Sequence, residues 1–499
     1  MIAPELAIPL SLTVPLIGFV LIWLFDKSPN LREAATLVSG VVLLGLVISV
    51  FAAVGDGQRP ELAPLEVIEG LPIAFRVEPL GAMFALIASG LWIVNSIYSI
   101  GYMRGGNEKH QTRFYMSFAV AISSAMGVAY AANLFTLFIF YEILTLSTFP
   151  LVTHKGDDNA RRGGRVYLGV LMATSIGLLL PAIVWTYALT ETTDFTPGGV
   201  LSAHAEAVTP IAGLLLGLYA FGIGKAALMP VHPWLPNAMV APTPVSAFLH
   251  AVAVVKAGVF SILKVAVYIF GVDFMAETGV GEPFMWLAAI SILLASAIAM
   301  NKDNLKARLA YSTVSQLSYV TLGAMLATSM GVIGGGVQIA AHAVGKMTLF
   351  MCAGAIYVAH HKTLVSELDG LGRVMPVTFG AFFIGALSII GLPPLAGSWP
   401  KFFLMLGAAD ASQLFIIAAL MISSLLNIVY LLPIPLRGFY GKPPDGEHQA
   451  GGGVKIREAP VFCLAPIVMT ALGCIVLFFM IAELAAFLEP IADHGSAQQ

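Results

Sequence analysis

Charge is scarce in this chain. Of 499 residues only 11% are charged, 58% are apolar, and the mean hydropathy is +0.88. A soluble domain is about 45–50% apolar and about 25% charged, so a chain this long with so few charges cannot cover itself with a water-facing surface. Neither sign dominates. The 25 Lys and Arg stand against 28 Asp and Glu, which leaves no basic footprint for a nucleic acid. Cysteine is nearly missing too. Cys352, Cys463 and Cys474 lie in apolar stretches with no CxxC or Cys/His spacing, and read as small core residues rather than as disulfide, zinc or iron–sulfur ligands. The loops hold no phosphate-cradling glycine run, no nucleophile–His–acid set and no metal cluster, so no cofactor and no enzyme activity are expected.

What the chain has instead is long apolar runs. A spanning helix takes roughly 20 apolar residues, and such segments fall near 6–25, 35–54, 79–100, 114–130, 134–152, 166–189 and 211–229, then 245–270, 284–300, 309–326, 331–359, 377–395, 414–436 and 461–482. The expected fold is therefore an all-α polytopic membrane protein of about fourteen spans. The first segment is expected to be a retained span, because Met1–Leu10 carries Glu5 and no Lys or Arg. Basic residues test the count. Loops after odd-numbered spans hold Lys27, Arg32, Arg104, Lys109, Arg113, Lys155, Arg161, Arg162 and Arg165, and further on Lys302, Lys306, Arg308, Lys362, Arg373, Arg437, Lys442, Lys455 and Arg457. Loops after even-numbered spans hold only Arg59 and Arg76, beside acids such as Asp56, Glu61, Glu66, Asp273, Glu277 and Glu282. One miscounted span would scramble this segregation. It predicts that the odd loops face the cytoplasm and that both termini lie outside a cell (inner) membrane.

Five lysines remain inside spans: Lys225, Lys256, Lys264, Lys346 and Lys401, with one deep acid, Glu142, and the histidines His232, His250 and His342. Each charge at mid-membrane costs about 2.5–3.5 kcal/mol on insertion scales, and such residues face a bundle interior and mark ion or proton paths. Blander roles are open at each position. Lys264 lies near the end of its span and either snorkels or turns inward. Lys346 follows His342 by four, on one helix face, and serves either an inter-helix contact or a wet relay. Glu142 fits a satisfied buried acid or, at lower cost, an ion pair with one of the lysines. His232 either caps backbone groups or takes part in transfer.

Two spans are interrupted by proline and glycine: GIGKAALMPVHPWLP at 222–236, with Pro230, His232 and Pro233, and GLPPLAGSWPK at 391–401, with Pro393 and Pro394. Proline frees backbone carbonyls, which at membrane depth is tolerated only within protein or beside water. Each break carries a lysine, Lys225 or Lys401, and the two spans are five apart. Paired broken helices suggest two inverted five-helix repeats, spans 4–8 and 9–13, with an ion site between them. The expected divisions are 1–112 for spans 1–3, 113–273 and 274–440 for the repeats, and 441–499 for a loop and span 14.

The segment GKAALMPVHPWLPNAMVAPTPVSAFLHAVAVVKAG (224–258) resembles the signature of the antiporter-like proton-conducting subunits shared by Mrp-type cation/proton antiporters and respiratory complex I. Tyr141–Glu142, KDNLKARLAYSTVSQLSY (302–319), HAVGKMTLF (342–350) and GLPPLAGSWPK extend the likeness over about residues 75–440. The resemblance implies the fourteen-helix, two-repeat fold. It also implies a proton relay of Glu142 on the fifth helix, its partner Lys225 on the broken seventh, His250 and the central Lys256 on the eighth, the linking pair His342 and Lys346 on the eleventh, and Lys401 on the broken twelfth. Within the family, lysine at positions 256 and 401 and a chain of this size are most similar to the D-type component of a Mrp antiporter; Pro400 departs from the serine usual there. The partners implied are components of the Mrp A, B, C, E, F and G types, protons and sodium, and the lipid bilayer, with no nucleic acid.

The expected activity is proton translocation in a multisubunit monovalent cation/proton antiporter. A buried ammonium is costly and a nearby carboxylate offsets that cost, so Lys225 paired with Glu142 is expected to hold its proton and to pass it toward Lys256 when Glu142 turns away. The alternative is a proton-pumping subunit of a complex I or membrane hydrogenase type assembly, which requires electron flow. A non-transporting scaffold, the third reading, predicts that neutralising the buried lysines is harmless.

Overall fold

In the computed structural model, residues 3–68, 70–442 and 455–492 are described, without the side chains at 68 and 250. Among the described residues, eleven helical segments are long and apolar enough to cross a membrane. Gln111–Tyr130 and Leu305–Met325, more polar, and the shorter Pro376–Ile390 complete the fourteen expected. Helices are the answer dictated by lipid, because each backbone N–H and C=O must be satisfied within its own segment. In chain order we label them α1 (Pro4–Leu24), α2 (Pro29–Gly55), α3 (Pro79–Gly105), α4 (Gln111–Tyr130), α5 (Leu134–Val152), α6 (Asp158–Thr190), α7 (Ala212–Gly222 and Trp234–Asn237) and α8 (Thr243–Phe270). There follow α9 (Glu282–Met300), α10 (Leu305–Met325), α11 (Ser329–His360), α12 (Pro376–Ile390 and Ser398–Asp410), α13 (Leu414–Tyr440), α14 (Val461–Phe479) and a terminal helix α15 (Ile481–Ala492). Starts are set locally. Proline occupies the first turn of α1, α2, α3 and α12, where its missing N–H costs nothing. Asn133, Asp157, Asn304 and Thr328 accept backbone N–H groups as side-chain caps of α5, α6, α10 and α11. A hairpin, Leu65–Ile68 with Leu71–Ile73, lies between α2 and α3.

The connections separate onto two faces, as alternate crossing requires. On the basic-loop face Arg32 donates to Gln111 at 2.8 Å, Arg104 pairs with Glu33, and Arg113 donates to the His154 carbonyl at 3.2 Å. There too Asp303 accepts from the Ser366 backbone at 2.9 Å, and Arg437 pairs with Asp369 at 2.7 Å. On the opposite, acidic-loop face Arg76 donates to the Phe195 carbonyl at 2.6 Å, and Ser329 donates to the Ala492 carbonyl at 3.2 Å. α8 and α11 form the axis: their apolar windows are 100% and 94% buried, against 33% for α1, α6, α13 and α14. The two central helices carry Lys256, His342 and Lys346, so the costliest side chains sit where lipid is farthest away.

Both expected interruptions are present. α7 stops at Gly222 and resumes at Trp234; α12 stops at Ile390 and resumes at Ser398. Each contains a cis X–Pro bond, Met229–Pro230 and Pro393–Pro394. Pro400 falls in the first turn of the resumed α12, so its departure from serine removes no helical hydrogen bond. A third interruption was not expected. α8 breaks at Val252–Ala253, between Thr243–Ala251 and Val254–Lys264. No proline or glycine marks it, and both N–H groups turn onto the Phe248 carbonyl at 2.8 and 2.9 Å. Two π-helical stretches, Ser175–Leu179 in α6 and Val265–Phe270 in α8, also lack a sequence signal.

Candidate functional site

The break in α7 presents Lys225 to α5. Its ammonium donates to the Tyr141 carbonyl at 2.7 Å and the Thr145 hydroxyl at 2.6 Å, with the Tyr141 ring 3.1 Å away. The unwound backbone is satisfied by side chains: the Tyr141 hydroxyl accepts from the Lys225 N–H at 3.0 Å, and Trp234 Nε1 donates to the Gly224 carbonyl at 2.9 Å. Close packing fits the break between its neighbours. A Cβ on Gly258 of α8 would lie 2.3 Å from the Ala226 nitrogen and the Lys225 carbonyl carbon, and one on Gly224 would lie 2.3 Å from the Thr174 hydroxyl of α6.

The expected Glu142–Lys225 ion pair is not formed here. Both carboxylate oxygens of Glu142 are buried and have no hydrogen-bond partner among the described residues, and no ion pair within 4.0 Å includes it. The reason lies in the helix faces. Tyr141 is buried, whereas Ile143 and Leu146 point outward at 38% and 55% exposure, which leaves Glu142 at the rim of the bundle while Lys225 reaches inward to the residues flanking it.

At the centre, Lys256 Nζ of α8 meets His342 Nδ1 of α11 at 2.5 Å, and His342 Nε2 is buried without a partner among the described residues. Lys346, one turn further on α11, donates to the Leu309 carbonyl of α10 at 3.3 Å. All three bases are buried. The resumed half of α12 brings Lys401 back onto its own first half: the ammonium donates to the Ile390 carbonyl at 2.7 Å, a helix C-terminus where a cation is favoured. It also donates to the Ser424 hydroxyl of α13 at 3.0 Å. Gly391, at φ +91°, makes room for the lysine stem, since a Cβ would stand 2.9 Å from Lys401 Cδ.

Of the remaining candidates, Pro230, His232, Pro233, Pro393 and Pro394 all lie in the interruptions. His232 is half-buried, its ring 6.0 Å from that of Tyr311, and its Nδ1 has no partner among the described residues. The side chain of His250 lies outside the described residues. Lys264 does not snorkel. It is 1% exposed and pairs with Glu78 at 2.9 Å, while its ammonium donates to the Ala131 carbonyl at 3.1 Å and lies 4.0 Å from the Phe195 ring. Glu78 was missed because it precedes Pro79, just outside the apolar run. Between the centre and Lys401 lie polar groups that the sequence reading also missed: Gln338 donates to Gln316 at 2.8 Å, and the Tyr430 hydroxyl donates to Asn427 at 2.5 Å and is hydrogen-bonded to the Ser312 hydroxyl at 2.8 Å. The polar run YSTVSQLSY in α10 was their signal.

Glu78→Gln is expected to destabilise the fold by about 3–5 kcal/mol, because it strands the Lys264 ammonium in the interior. A thermal melt in detergent checks this; adding Lys264→Met should restore most of the loss, and an unchanged melt for the single variant would refute the pairing's importance.

Fourteen helical segments around a buried line of bases, with a lysine at each of two broken helices, define a polytopic antiporter-like membrane subunit. The profile of the transmembrane family described as NADH:quinone oxidoreductase/Mrp antiporter matches residues 131–427, and that of the complex I chain 5 N-terminus matches 69–115. The chain belongs to this NADH:quinone oxidoreductase/Mrp antiporter family. It is 30% identical over 413 residues to NADH-quinone oxidoreductase subunit N of Desulforudis audaxviator, covering 80% of this chain and 81% of that one. It is also 30% identical to the A-type component of the Na+/H+ antiporter of Alkalihalophilus pseudofirmus over 84% of this chain, and spans 54% of that longer protein. In fold it matches a chain of the Mrp complex from Dietzia sp. at a TM-score of 0.86, with 20% identity, over 99% of this chain and 97% of the other.

Proposed function

We propose that this chain is a proton-translocating subunit of a multisubunit monovalent cation/proton antiporter, of the Mrp D type, working beside partners of the Mrp A, B, C, E, F and G types. One observation carries the reading: Lys256 and His342 touch at 2.5 Å in the fully enclosed interior, flanked by two broken helices that each contribute a lysine. A scaffold needs no such contact, and each of these bases is costly in a bilayer. The relay runs along the midplane from Glu142 and Lys225 through Lys256 to His342, Lys346 and Lys401, with His250 assigned to it by the resemblance alone. In the conformation described here Lys225 is held by neutral oxygens and Glu142 has no partner among the described residues. Rotation of Glu142 onto Lys225 would stabilise the ammonium, and its return would release the proton toward Lys256. A Lys–His contact suits hand-over, because the imidazole accepts a proton at one nitrogen and donates from the other. In this reading α4–α8 and α9–α13 are inverted repeats, supported by the paired breaks in α7 and α12, and the basic-loop face is cytoplasmic with both termini outside, supported by the distribution of Lys and Arg.

A second reading is favoured by one specific observation, the NADH-quinone oxidoreductase relative, which is matched over 81% of its length. In that case the same relay is driven by redox chemistry in other subunits of a complex I or membrane hydrogenase type assembly. Everted vesicles containing the chain with its neighbouring gene products separate the two. Sodium-dependent collapse of an imposed pH gradient, lost in Lys225→Ala at matched abundance, is the expected result. No cation response from an assembled complex would transfer the assignment to the redox-driven pump.

A further inference from the structure

Two cavities lie end to end along α3 and α15. The larger, about 530 Å³, is walled by apolar side chains of α2, α3, α11, α14 and α15, including Phe51, Leu86, Val344, Val476, Leu477 and Phe487. Val476 is 54% exposed, so this cavity opens sideways toward lipid. The smaller, about 340 Å³, lies at the acidic-loop face and is lined by Arg59, Arg76 and Glu78. Two helices join them. Pro79 in the smaller cavity and Met83 in the larger are four apart on α3, and Phe487 and Ile491 are likewise four apart on α15, so each pair shares a helix face. From Pro79 to Ile87, both lining residues, the groove descends two turns, about 12 Å. One leaflet of a hydrocarbon core about 30 Å thick is of similar depth.

The geometry points to a bound membrane phospholipid, its phosphodiester held at Arg59 and Arg76 and one acyl chain lying in the apolar cavity. The charges favour this occupant. Arg59 donates only to the Gln58 and Val54 carbonyls, at 2.8 and 3.4 Å, and makes no ion pair among the described residues. Arg76 stands 3.6 Å from Glu78, whose carboxylate is also taken by Lys264 at 2.9 Å. Among the residues lining this cavity, Arg59 and Arg76 therefore stand beside one carboxylate, which the buried Lys264 already neutralises from behind, an excess of positive charge that complements a phosphate. A protein helix would fill the apolar part and leave Arg59 without an anion. The far end of the cavity is Val344, between His342 and Lys346 on α11, so the acyl chain would brace the helix that carries the central bases.

The test is photolabelling of the assembled complex in vesicles doped with phosphatidylethanolamine carrying a diazirine in its acyl chain, with diacylglycerol of the same chains as the headgroup-free probe. Phosphatidylethanolamine should label peptides spanning 83–87 and 476–484 roughly tenfold more than diacylglycerol does, the worth of one charge-assisted hydrogen bond. That preference should vanish in Arg59→Gln, and Val476→Trp, which fills the cavity from its exposed side, should remove labelling by both probes. The proposal is overturned if both probes label these peptides equally in the unaltered chain. It is equally overturned if labelling does not exceed that of the exposed Met421–Leu425 stretch of α13, or if Val476→Cys crosslinks to a neighbouring protein of the complex. None of these outcomes depends on whether the driving reaction is cation exchange or electron flow.

Discussion

Lys256→Met is expected to reduce proton movement by at least about 100-fold, the lower end of what a positioned acid or base contributes, while leaving the complex assembled. Methionine keeps most of the volume of the lysine stem, so the packing of α8 should survive. What it cannot do is meet His342 Nδ1, now 2.5 Å from the ammonium. His342 would then be left with both ring nitrogens unpaired, since Nε2 already has no partner among the described residues. Removing a buried ammonium also lowers an electrostatic cost, so the variant should melt at the same temperature or higher. Lost transport with unimpaired stability separates a relay from a scaffold, in which neutralising the lysine would leave the transport of the complex intact as well. Transport above about a tenth of the unaltered rate would show that protons bypass Lys256 and would end the relay as described.

Gly258→Ala should be nearly as damaging, through a different cause. The added methyl would lie 2.3 Å from the Ala226 nitrogen and the Lys225 carbonyl carbon, both backbone atoms that no side-chain rotation can clear. Either α8 or the break in α7 must move, at a cost of about 1–3 kcal/mol or more, and the movement falls on the residue that holds Lys225 against Tyr141 and Thr145. Transport is expected to fall at least about tenfold, with a lowered melting temperature, a shift of about 1.4 kcal/mol being worth that factor. Gly213→Ala in α7 is the control: nothing lies within 4 Å of its Cβ position, and alanine is the better helix former by about 0.5–1 kcal/mol. Parallel assays of the two variants at equal abundance check the argument. Equal transport in both would mean that the close approach at Gly258 does not set the geometry of Lys225.

Much of the architecture was legible because membrane insertion is a local matter. Whether a stretch can span depends on its own residues, and the basic residues record which loops share a face, so fourteen segments and two faces follow from composition and order alone. The breaks at Pro230–Pro233 and Pro393–Pro394 were legible for the same reason, as proline and glycine act on the backbone wherever they stand. The break at Val252–Ala253 was not, because every residue there is one a helix accepts; the two N–H groups converge on Phe248 within a fully buried segment.

The sequence by itself determined the spans, their alternation, the two proline breaks and the set of buried bases, because each follows from transfer free energy or backbone chemistry within a short window. Only the tertiary structure decided which groups those bases meet. Lys225 sits on Tyr141 and Thr145 rather than on Glu142, Lys264 turns inward to Glu78, and Lys256 finds His342, 86 residues away. Those choices depend on which helix faces are packed together. A charge buried in a bundle takes the nearest oxygen or nitrogen that packing supplies, and no periodicity along one helix encodes what its neighbour presents.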